Sequence, residues 1–202
     1  MLHLLDVLAS GVHDTKNQLF IAESLVAAAE EKHQIDLAEV RYAIESAANR
    51  LSQTLSTYHL LRHGSTLAVA PVIISDLYEE VGLAQKHHLT ENKLTLTIDC
   101  QIDEAWPVDR DMVSDALNNA VQNAARFAKS RIHLSAQYAT DGICLRVEDD
   151  GPGFSSLPPN SGTGLLLAER LAEMHTRQER HGRLQLSNGG LLGGAVFEFH
   201  LP

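Results

Sequence analysis

The sequence predicts an α+β chain in two parts: an antiparallel helical hairpin that forms a dimeric four-helix bundle, and an α/β sandwich around a mixed sheet. Two observations support this division. Every proline, and every glycine except Gly11, falls after residue 63, which marks a boundary near Gly64. Apolar residues recur at helical spacing before that boundary, whereas strand-like and helix-like segments alternate after it. We therefore expect a helical domain at 1–63, a hinge at 64–70 and a sandwich domain at 71–202.

The first part contains two stretches in which apolar residues stand alternately three and four positions apart, as in helices that pack along a seam. The first stretch runs from Leu5 to Ala29 and the second from Leu37 to Leu61. Only the polar stretch from Glu30 to Asp36 separates them, and so short a connection favours an antiparallel hairpin. Two helices cannot bury seams of this length alone, so we expect a second chain to complete the bundle.

The second part combines predicted strands and helices. β-Branched residues and alternation predict five strands, at Leu67–Ile74, Leu94–Ile98, Arg131–Gln137, Ile143–Glu148 and Phe197–Leu201. Helical patterns lie between them, at Ser75–His88, Asp109–Ala128 and Thr163–Met174. Ser75 and Asp109 are the expected N-caps of the first two helices. These elements predict a mixed sheet that is covered by helices on one face.

Charge and composition exclude several classes of function. The net charge of -10, from 26 acidic and 16 basic residues, argues against binding to nucleic acid or anionic lipid. Since the chain has neither a run of about 18 apolar residues nor a signal-peptide pattern, we expect no membrane segment and a cytoplasmic location. Cys100 and Cys144 lack CxxC spacing and the histidines lack ligand spacing, so no disulfide framework or zinc site is indicated.

The predicted helix Asp109–Ala128 carries polar residues suited to a metal and to phosphate. Asn119 and Asn123 are four positions apart, so both amides lie on one face, and Arg126 follows near the next turn. Two amide oxygens can hold Mg²⁺ while water and phosphate oxygens fill its other positions. Arg126 is the candidate for a phosphate contact. A solvated helix face would explain the asparagines as well.

A glycine-containing loop follows the predicted strand Ile143–Glu148. In the segment VEDDGPGF, Asp149 places a carboxylate at the strand end, where it can accept a hydrogen bond from the amino group of adenine. Gly151 and Gly153 lack a Cβ and would let the backbone approach a flat ligand closely. A tight turn after a strand is the alternative explanation, because Asp, Gly and Pro are common turn residues.

A second pair of glycines precedes the helix predicted at Thr163–Met174. The segment SGTGLLLAERL places Gly162 and Gly164 at the start of this helix. Free backbone N–H groups and the helix dipole favour phosphate at such a position. One such pair is common, and it is the order of the motifs along the chain that makes them informative.

In that order the sequence resembles the sensor histidine kinases, and its second part resembles the Bergerat-type ATPase domain that they share with gyrase and certain chaperones. Asn119 and Asn123 are similar to the family's asparagine box, Asp149, Gly151 and Gly153 to its first glycine box, and Gly162 and Gly164 to its second. The segment HDTKN, which begins at His13, resembles the phosphoacceptor box, where the family has His, an acid, two variable positions and then Asn or Thr.

The resemblance implies a histidine protein kinase that uses ATP and Mg²⁺. His13 would accept the phosphoryl group, and Asp14 would orient or deprotonate the ring nitrogen that does not react. Asn17 would align the water that dephosphorylates the partner. Asn119 and Asn123 would hold the magnesium ion. The implied partner is the receiver domain of a response regulator, which accepts the phosphoryl group on an aspartate.

Two departures from the family pattern leave alternatives open. Leu166 stands where the family usually has a third glycine, and only a short segment separates Phe154 from Gly162. A degenerate ATPase-like domain would instead fit an ATP-independent histidine phosphotransferase that relays phosphoryl groups between response regulators. An anti-sigma-type serine kinase would share the ATP fold, but it leaves the HDTKN segment and the hairpin unexplained.

Overall fold

The chain forms two compact units, Met1–Gly64 and Ser65–Pro202. The structure is a computed structural model, and it describes residues 2–41, 43, 44, 47, 48, 51, 67–157 and 163–202. At residues 2–14, 16, 17, 163 and 164 it describes the backbone alone. Gly162, residues 64–66 of the predicted hinge and the second seam beyond residue 51 therefore lie outside the described residues.

The first unit begins with a long helix, α1, at Leu2–His33. A second helical segment, α2, follows, with described helical residues 38–41, 43, 44, 47, 48 and 51. The connection is shorter than the predicted polar stretch, because α1 continues to His33 before Gln34 takes a φ of 53°. Lys32 and His33 in the last turn suit the negative end of the helix dipole.

The start of α2 is held against α1 by polar contacts. The carboxylate of Asp36 accepts a hydrogen bond from the amide of Ala38 at 3.0 Å, as an N-capping residue does. The Arg41 guanidinium lies 3.3 Å from a Glu30 oxygen and 4.0 Å from a Glu23 oxygen. Because Glu23 and Glu30 are on the last three turns of α1, these contacts show that the chain reverses direction here.

The second unit contains nine strands and three helices within its described residues. In chain order the strands are β1 Val69–Val72, β2 Thr95–Cys100, β3 Trp106–Asp109, β4 Arg131–Ala139, β5 Gly142–Asp149, β6 Thr176–Arg177, β7 Arg180–His181, β8 Arg183–Asn188 and β9 Ala195–Leu201. The helices are α3 Ile74–Glu91, α4 Arg110–Phe127 and α5 Thr163–Met174.

Five of these strands form one mixed sheet, and four of the five, β2, β4, β5 and β9, were predicted. The remaining predicted strand, at 67–74, corresponds to β1 and lies outside this sheet. The strand order is β2-β4-β5-β9-β8, in which β2 and β4 are parallel and the other pairs are antiparallel. Strands β1 and β3 form a separate two-stranded sheet, and β6 and β7 form a hairpin. Alternate residues of the central strand β5, such as Leu145 and Val147, enter the core, so the sheet has one face covered by apolar side chains.

The core lies between this sheet and the helices. Leu77 and Val81 of α3 and Leu117 and Val121 of α4 are fully buried, which reflects apolar residues at helical spacing. Tyr78 is also fully buried, and its hydroxyl donates to the carbonyl oxygen of Ser135 at 2.8 Å. Within the described part of the chain, no helix combines the length and the apolar character needed to cross a membrane.

The structure corrects two details of the predicted elements. Asp109 caps α4 as expected, since its carboxylate accepts from the amide of Met112 at 3.2 Å. Ser75 is not a cap, because α3 begins one residue earlier, at Ile74. The strands β3, β6, β7 and β8 were not predicted. Strands β3, β6 and β7 are four residues or shorter, and β8 carries polar residues at most positions, so none has a clear strand pattern.

His175 joins the end of α5 to the start of α4. Its Nε2 accepts a hydrogen bond from the amide of Asp109 at 3.1 Å, and its Nδ1 lies 2.9 Å from the carbonyl oxygen of Leu171. A neutral ring satisfies both contacts by donating from Nδ1 and accepting at Nε2. Burial lowers the pKa of His175, although the hydrogen bond to Leu171 and the Asp109 charge oppose this effect.

Acid is therefore expected to destabilise the second unit. The folded pKa of His175 lies below the unfolded value of about 6.5. The contribution of His175 to the free energy of unfolding is therefore complete above about pH 6.5 and is lost as the pH falls through the folded pKa. Urea unfolding followed by the fluorescence of the single tryptophan, Trp106, measures this effect. The slope of the free energy of unfolding against pH should become shallower in His175→Gln and stay unchanged in the exposed control His87→Gln. An equal slope in wild type and His175→Gln would contradict this role.

Candidate functional site

Asp149 is a buried carboxylate at the end of β5, and the surrounding backbone holds it in one position. Its Oδ1 accepts hydrogen bonds from the amide of Gly151 at 2.7 Å and from that of Ala195 at 3.2 Å. Burial raises the pKa of Asp149, and these two hydrogen bonds oppose the increase. Among the described residues both hydrogen bonds fall on Oδ1, so Oδ2 is the oxygen that can accept from a ligand.

Two glycines allow the backbone to pack closely around the Asp149 carboxylate. A Cβ at Gly151 would collide with the carbonyl oxygen of Phe127, the last residue of α4. A Cβ at Gly194 would collide with the carboxylate of Asp149. These glycines therefore allow the end of β5, the end of α4 and the start of β9 to approach one another. The sequence had suggested a role for Gly151 in approaching a ligand, whereas the structure shows a close approach to α4.

The loop after Asp149 is fastened by Asn188, at the end of β8. The amide of Phe154 donates to Asn188 Oδ1 at 2.6 Å, and Asn188 Nδ2 donates to the carbonyl oxygen of Phe154 at 2.9 Å. Gly153 takes a φ of 78°, and a Cβ there would lie 2.6 Å from Asn188 Oδ1. Sequence reasoning missed Asn188, because nothing near it in the chain indicates this partner.

Asp150 is a second residue that the sequence did not single out. Its carboxylate accepts from the amides of Lys129, Ser130 and Arg131 at 2.8, 3.0 and 3.1 Å, and from the Ser130 hydroxyl at 2.7 Å. Burial acts to raise the pKa of Asp150, but these hydrogen bonds outweigh it and hold the pKa far below its usual range. Asp150 thus ties the end of β5 to the connection between α4 and β4, beside Asp149.

The α4 residues predicted for the site lie in the half of the helix that ends beside Gly151. Asn119 is half-buried, whereas Asn123 and Arg126 are exposed and accessible to a ligand. Asn118 has a different function, because its side chain accepts from Gln85 at 2.8 Å and donates to the carbonyl oxygen of Ser114 at 3.0 Å. Asn118 therefore joins α4 to α3, while the amide oxygens of Asn119 and Asn123 are the ones suited to a metal.

For most of the remaining predicted site residues, the structure describes only the backbone or does not describe the residue. Gly164 is in the first turn of α5, where helix N–H groups are unsatisfied by the helix itself, and Gly162 is outside the described residues. Leu166, which replaces a third glycine, is 65% exposed. His13, Asp14 and Asn17 all belong to α1 in the first unit, with His13 and Asn17 one turn apart.

The described residues thus offer a fixed, buried acceptor, a polar helix face and a helix start. A carboxylate oxygen can select an amino group of a planar ligand, amide oxygens can hold a hard cation, and a helix N-terminus can bind phosphate. Asp149 and the end of α4 come together at Gly151. These chemical functions together match the parts of a nucleoside triphosphate.

Comparison with known proteins finds similar proteins for this part of the chain. Residues 108–202 match the model of the family described as histidine kinase-, DNA gyrase B-, and HSP90-like ATPase. The virulence sensor histidine kinase PhoQ of Salmonella typhimurium strain LT2 is 23% identical over 209 residues, which cover 92% of this chain. The match spans 41% of PhoQ, so the chain spans about two fifths of the length of such curated relatives.

Solved structures show the same fold. Acinetobacter baumannii histidine kinase AdeS has a TM-score of 0.59 at 20% identity, covering 99% of this chain and 95% of that one. Full-length ShkA, solved in complex with AMPPNP, has a TM-score of 0.59 at 20% identity, covering 98% of this chain and 46% of that one. At these identities the likeness concerns the fold alone.

Proposed function

Because residues 108–202 form an ATP-binding core of the sensor histidine kinase type, we propose that the chain is the transmitter of a two-component system. It binds ATP with Mg²⁺, phosphorylates its own His13 and passes the phosphoryl group to an aspartate of a response regulator in the cytoplasm. In this proposal residues 1–63 form the dimerisation and phosphoacceptor hairpin, 64–70 the hinge, and 71–202 the ATP-binding domain.

The observation that carries the proposal is the position of Asp149. Its Oδ1 is occupied by the amides of Gly151 and Ala195, so its Oδ2 accepts from the amino group of adenine. A carboxylate that is buried and held by hydrogen bonds is already oriented, so little entropy is lost when the ligand binds. In a purine with a carbonyl oxygen in place of this amino group, that oxygen would face Oδ2 of Asp149, and two acceptors cannot form a hydrogen bond. This predicts selection of adenine over guanine.

The polar face of α4 suits the phosphates and their metal. Asn119 and Asn123 would hold Mg²⁺ through their amide oxygens, together with water and phosphate oxygens. When bound, Mg²⁺ neutralises charge on the triphosphate during transfer. Arg126 contacts phosphate from the same half of α4, and the backbone of Gly162 and Gly164 binds phosphate at the start of α5.

His13 is the proposed nucleophile because imidazole is neutral and nucleophilic near neutral pH. One ring nitrogen forms a bond to the γ-phosphorus, the bond from that phosphorus to the β–γ bridging oxygen breaks, and ADP leaves. Asp14 accepts or orients the proton on the other ring nitrogen. Asn17 aligns the water that removes the phosphoryl group from the regulator. The hinge allows the ATP-binding domain to bring the γ-phosphate in line with His13.

The exposed apolar residues of α1 support dimerisation. Phe20, Ile21 and Leu25 are 69%, 58% and 66% exposed, although large apolar side chains are costly to leave in water. Most predicted seam residues whose side chains the structure describes, such as Val26, are half-buried within this one chain, whereas Thr15 and Val40 are exposed. A second copy of the hairpin would cover the apolar residues that the first copy leaves exposed, which completes a four-helix bundle.

Asn123→Ala tests the proposed metal ligand. We expect the affinity for ATP in the presence of Mg²⁺ to fall about tenfold, which corresponds to about 1.4 kcal/mol, because one metal ligand is lost. Affinity without Mg²⁺ should change little, and calorimetry with and without the ion measures both. The urea midpoint should stay the same, since Asn123 is exposed.

Asn118→Ala is the matched control on the same helix. It removes the acceptor of the buried Gln85 amide, so it should lower the free energy of unfolding by about 1–3 kcal/mol. Its affinity for ATP with Mg²⁺ should remain near that of wild type. If Asn123→Ala bound ATP and Mg²⁺ as tightly as wild type, Asn123 would have no place in the metal site.

A further inference from the structure

Three potential metal ligands meet on the sheet face that points away from the apolar core. Strands β5 and β9 are antiparallel, and their register sets Cys144 directly opposite His200. Glu198 stands two residues before His200 and so lies on the same face. The neighbouring Leu145 and Phe199 enter the core, so these three side chains are on the other side of the sheet. Their ligand atoms all lie within 4.8 Å of one another.

The environment of the cluster contains a polar atom without a partner. His200 Nε2 is buried and has no hydrogen-bond partner within the described residues. Buried polar atoms in folded proteins are nearly always satisfied, so such an atom requires an explanation, and an absent ligand is one. Burial, assisted by the nearby Arg183 charge, lowers the pKa of His200, which favours the neutral form that binds metals.

We propose that Cys144, Glu198 and His200 form a binding site for Zn²⁺, separate from the nucleotide site and its magnesium. A thiolate, an imidazole and a carboxylate are the three ligand types that Zn²⁺ prefers, and three protein ligands leave a fourth tetrahedral position for water. Mg²⁺ does not fit this set, because it prefers oxygen ligands and six positions. If the three ligand atoms moved about 1 Å closer to one another, they would reach the distances found around a bound Zn²⁺.

Two of the three proposed ligands are anionic when they bind a metal. The Cys144 thiolate and the Glu198 carboxylate together neutralise Zn²⁺. Burial raises the pKa of Cys144 to about 11, so binding displaces the thiol proton, as at other thiolate sites. Two cations also face the cluster, Arg183 opposite His200 and Arg146 at 3.6 Å from Glu198. Arg146 also pairs with Glu148, so it keeps a partner when Glu198 turns to the metal.

The test uses the full chain without an affinity tag, nucleotide or Mg²⁺. Co²⁺ is added first, because its absorption reports a thiolate ligand and a tetrahedral site, and Zn²⁺ affinity is then measured by competition with a chelator. We expect one tight ion per chain with a thiolate-to-cobalt band. Cys144→Ser should abolish the band and weaken Zn²⁺ binding by at least about 100-fold, beyond the effect of losing an outer-shell partner.

Cys100→Ser is the matched control, because Cys100 is the other cysteine and lies outside the cluster. It should keep the cobalt band and the affinity for Zn²⁺. Glu198→Gln serves as a second variant that leaves the buried thiol in place, and it should also weaken binding; Trp106 fluorescence checks that each variant folds. Absence of the cobalt band in wild type, or equal Zn²⁺ affinity in wild type, Cys144→Ser and Glu198→Gln, would overturn the proposal. Neither result bears on ATP binding.

Discussion

His13→Gln is expected to abolish phosphorylation of the chain by ATP while leaving its affinity for ATP within about twofold of wild type. The glutamine side chain is polar and of similar length, but its amide nitrogen is not a nucleophile toward phosphorus. His13 belongs to the first unit and the proposed nucleotide site to the second, so we expect the substitution to remove the proposed acceptor and to leave ATP binding unchanged. Incubation with γ-labelled ATP measures transfer, and calorimetry measures binding.

His33→Gln provides the control for this experiment. His33 is an exposed histidine in the last turn of the same helix, so its loss should leave phosphorylation unchanged. Phosphohistidine is labile to acid and stable to alkali, which distinguishes it from phosphoserine. Labelling that persists in His13→Gln would place the phosphoacceptor at another residue.

Asp149→Asn is expected to weaken ATP binding by about 100-fold or more. The amides of Gly151 and Ala195 require an acceptor at the Oδ1 position, so the asparagine oxygen stays there and its NH₂ group takes the Oδ2 position. In that orientation a donor faces the amino group of adenine, which is also a donor. Loss of a hydrogen bond to a charged group costs about 1.5–3 kcal/mol, and the mismatch adds to it.

Asp141→Asn makes the same chemical change at a distant position. Asp141 is exposed in the turn between β4 and β5, at the other end of the strand from Asp149. Its ATP affinity should equal that of wild type by calorimetry, and both variants should keep the tryptophan emission of the folded chain. Unchanged ATP affinity in Asp149→Asn would remove Asp149 from the adenine site.

Those parts of the second unit that depend on local patterns could be predicted from the sequence. Helix α4 has a capping residue, Asp109, and apolar residues at helical spacing. Both signals lie in the helix itself or in the residue directly before it. Strand β5 has a long run of buried residues that ends at Asp149. The mixed sheet followed from the alternation of such segments, and the matched family model and solved structures confirm an ATP-binding fold of this kind.

The parts that were missed depend on contacts between residues far apart in the chain. Asn188 looks like the polar end of a strand, and only the folded chain brings it to Phe154. The sequence did not single out Asp150, whose carboxylate accepts from three consecutive amides in the connection between α4 and β4. The meeting of Cys144 with Glu198 and His200 depends on the register of β5 and β9, which no local spacing encodes.

A histidine kinase and an ATP-independent histidine phosphotransferase differ in the source of the phosphoryl group, and one labelling measurement separates them. The purified chain is incubated with Mg²⁺ and either γ-labelled ATP or a receiver domain labelled on its aspartate, and label on His13 is located by mass spectrometry. The histidine kinase proposed here takes label from ATP. Label that reaches His13 from the receiver domain alone, with none from ATP, would contradict it and identify a histidine phosphotransferase.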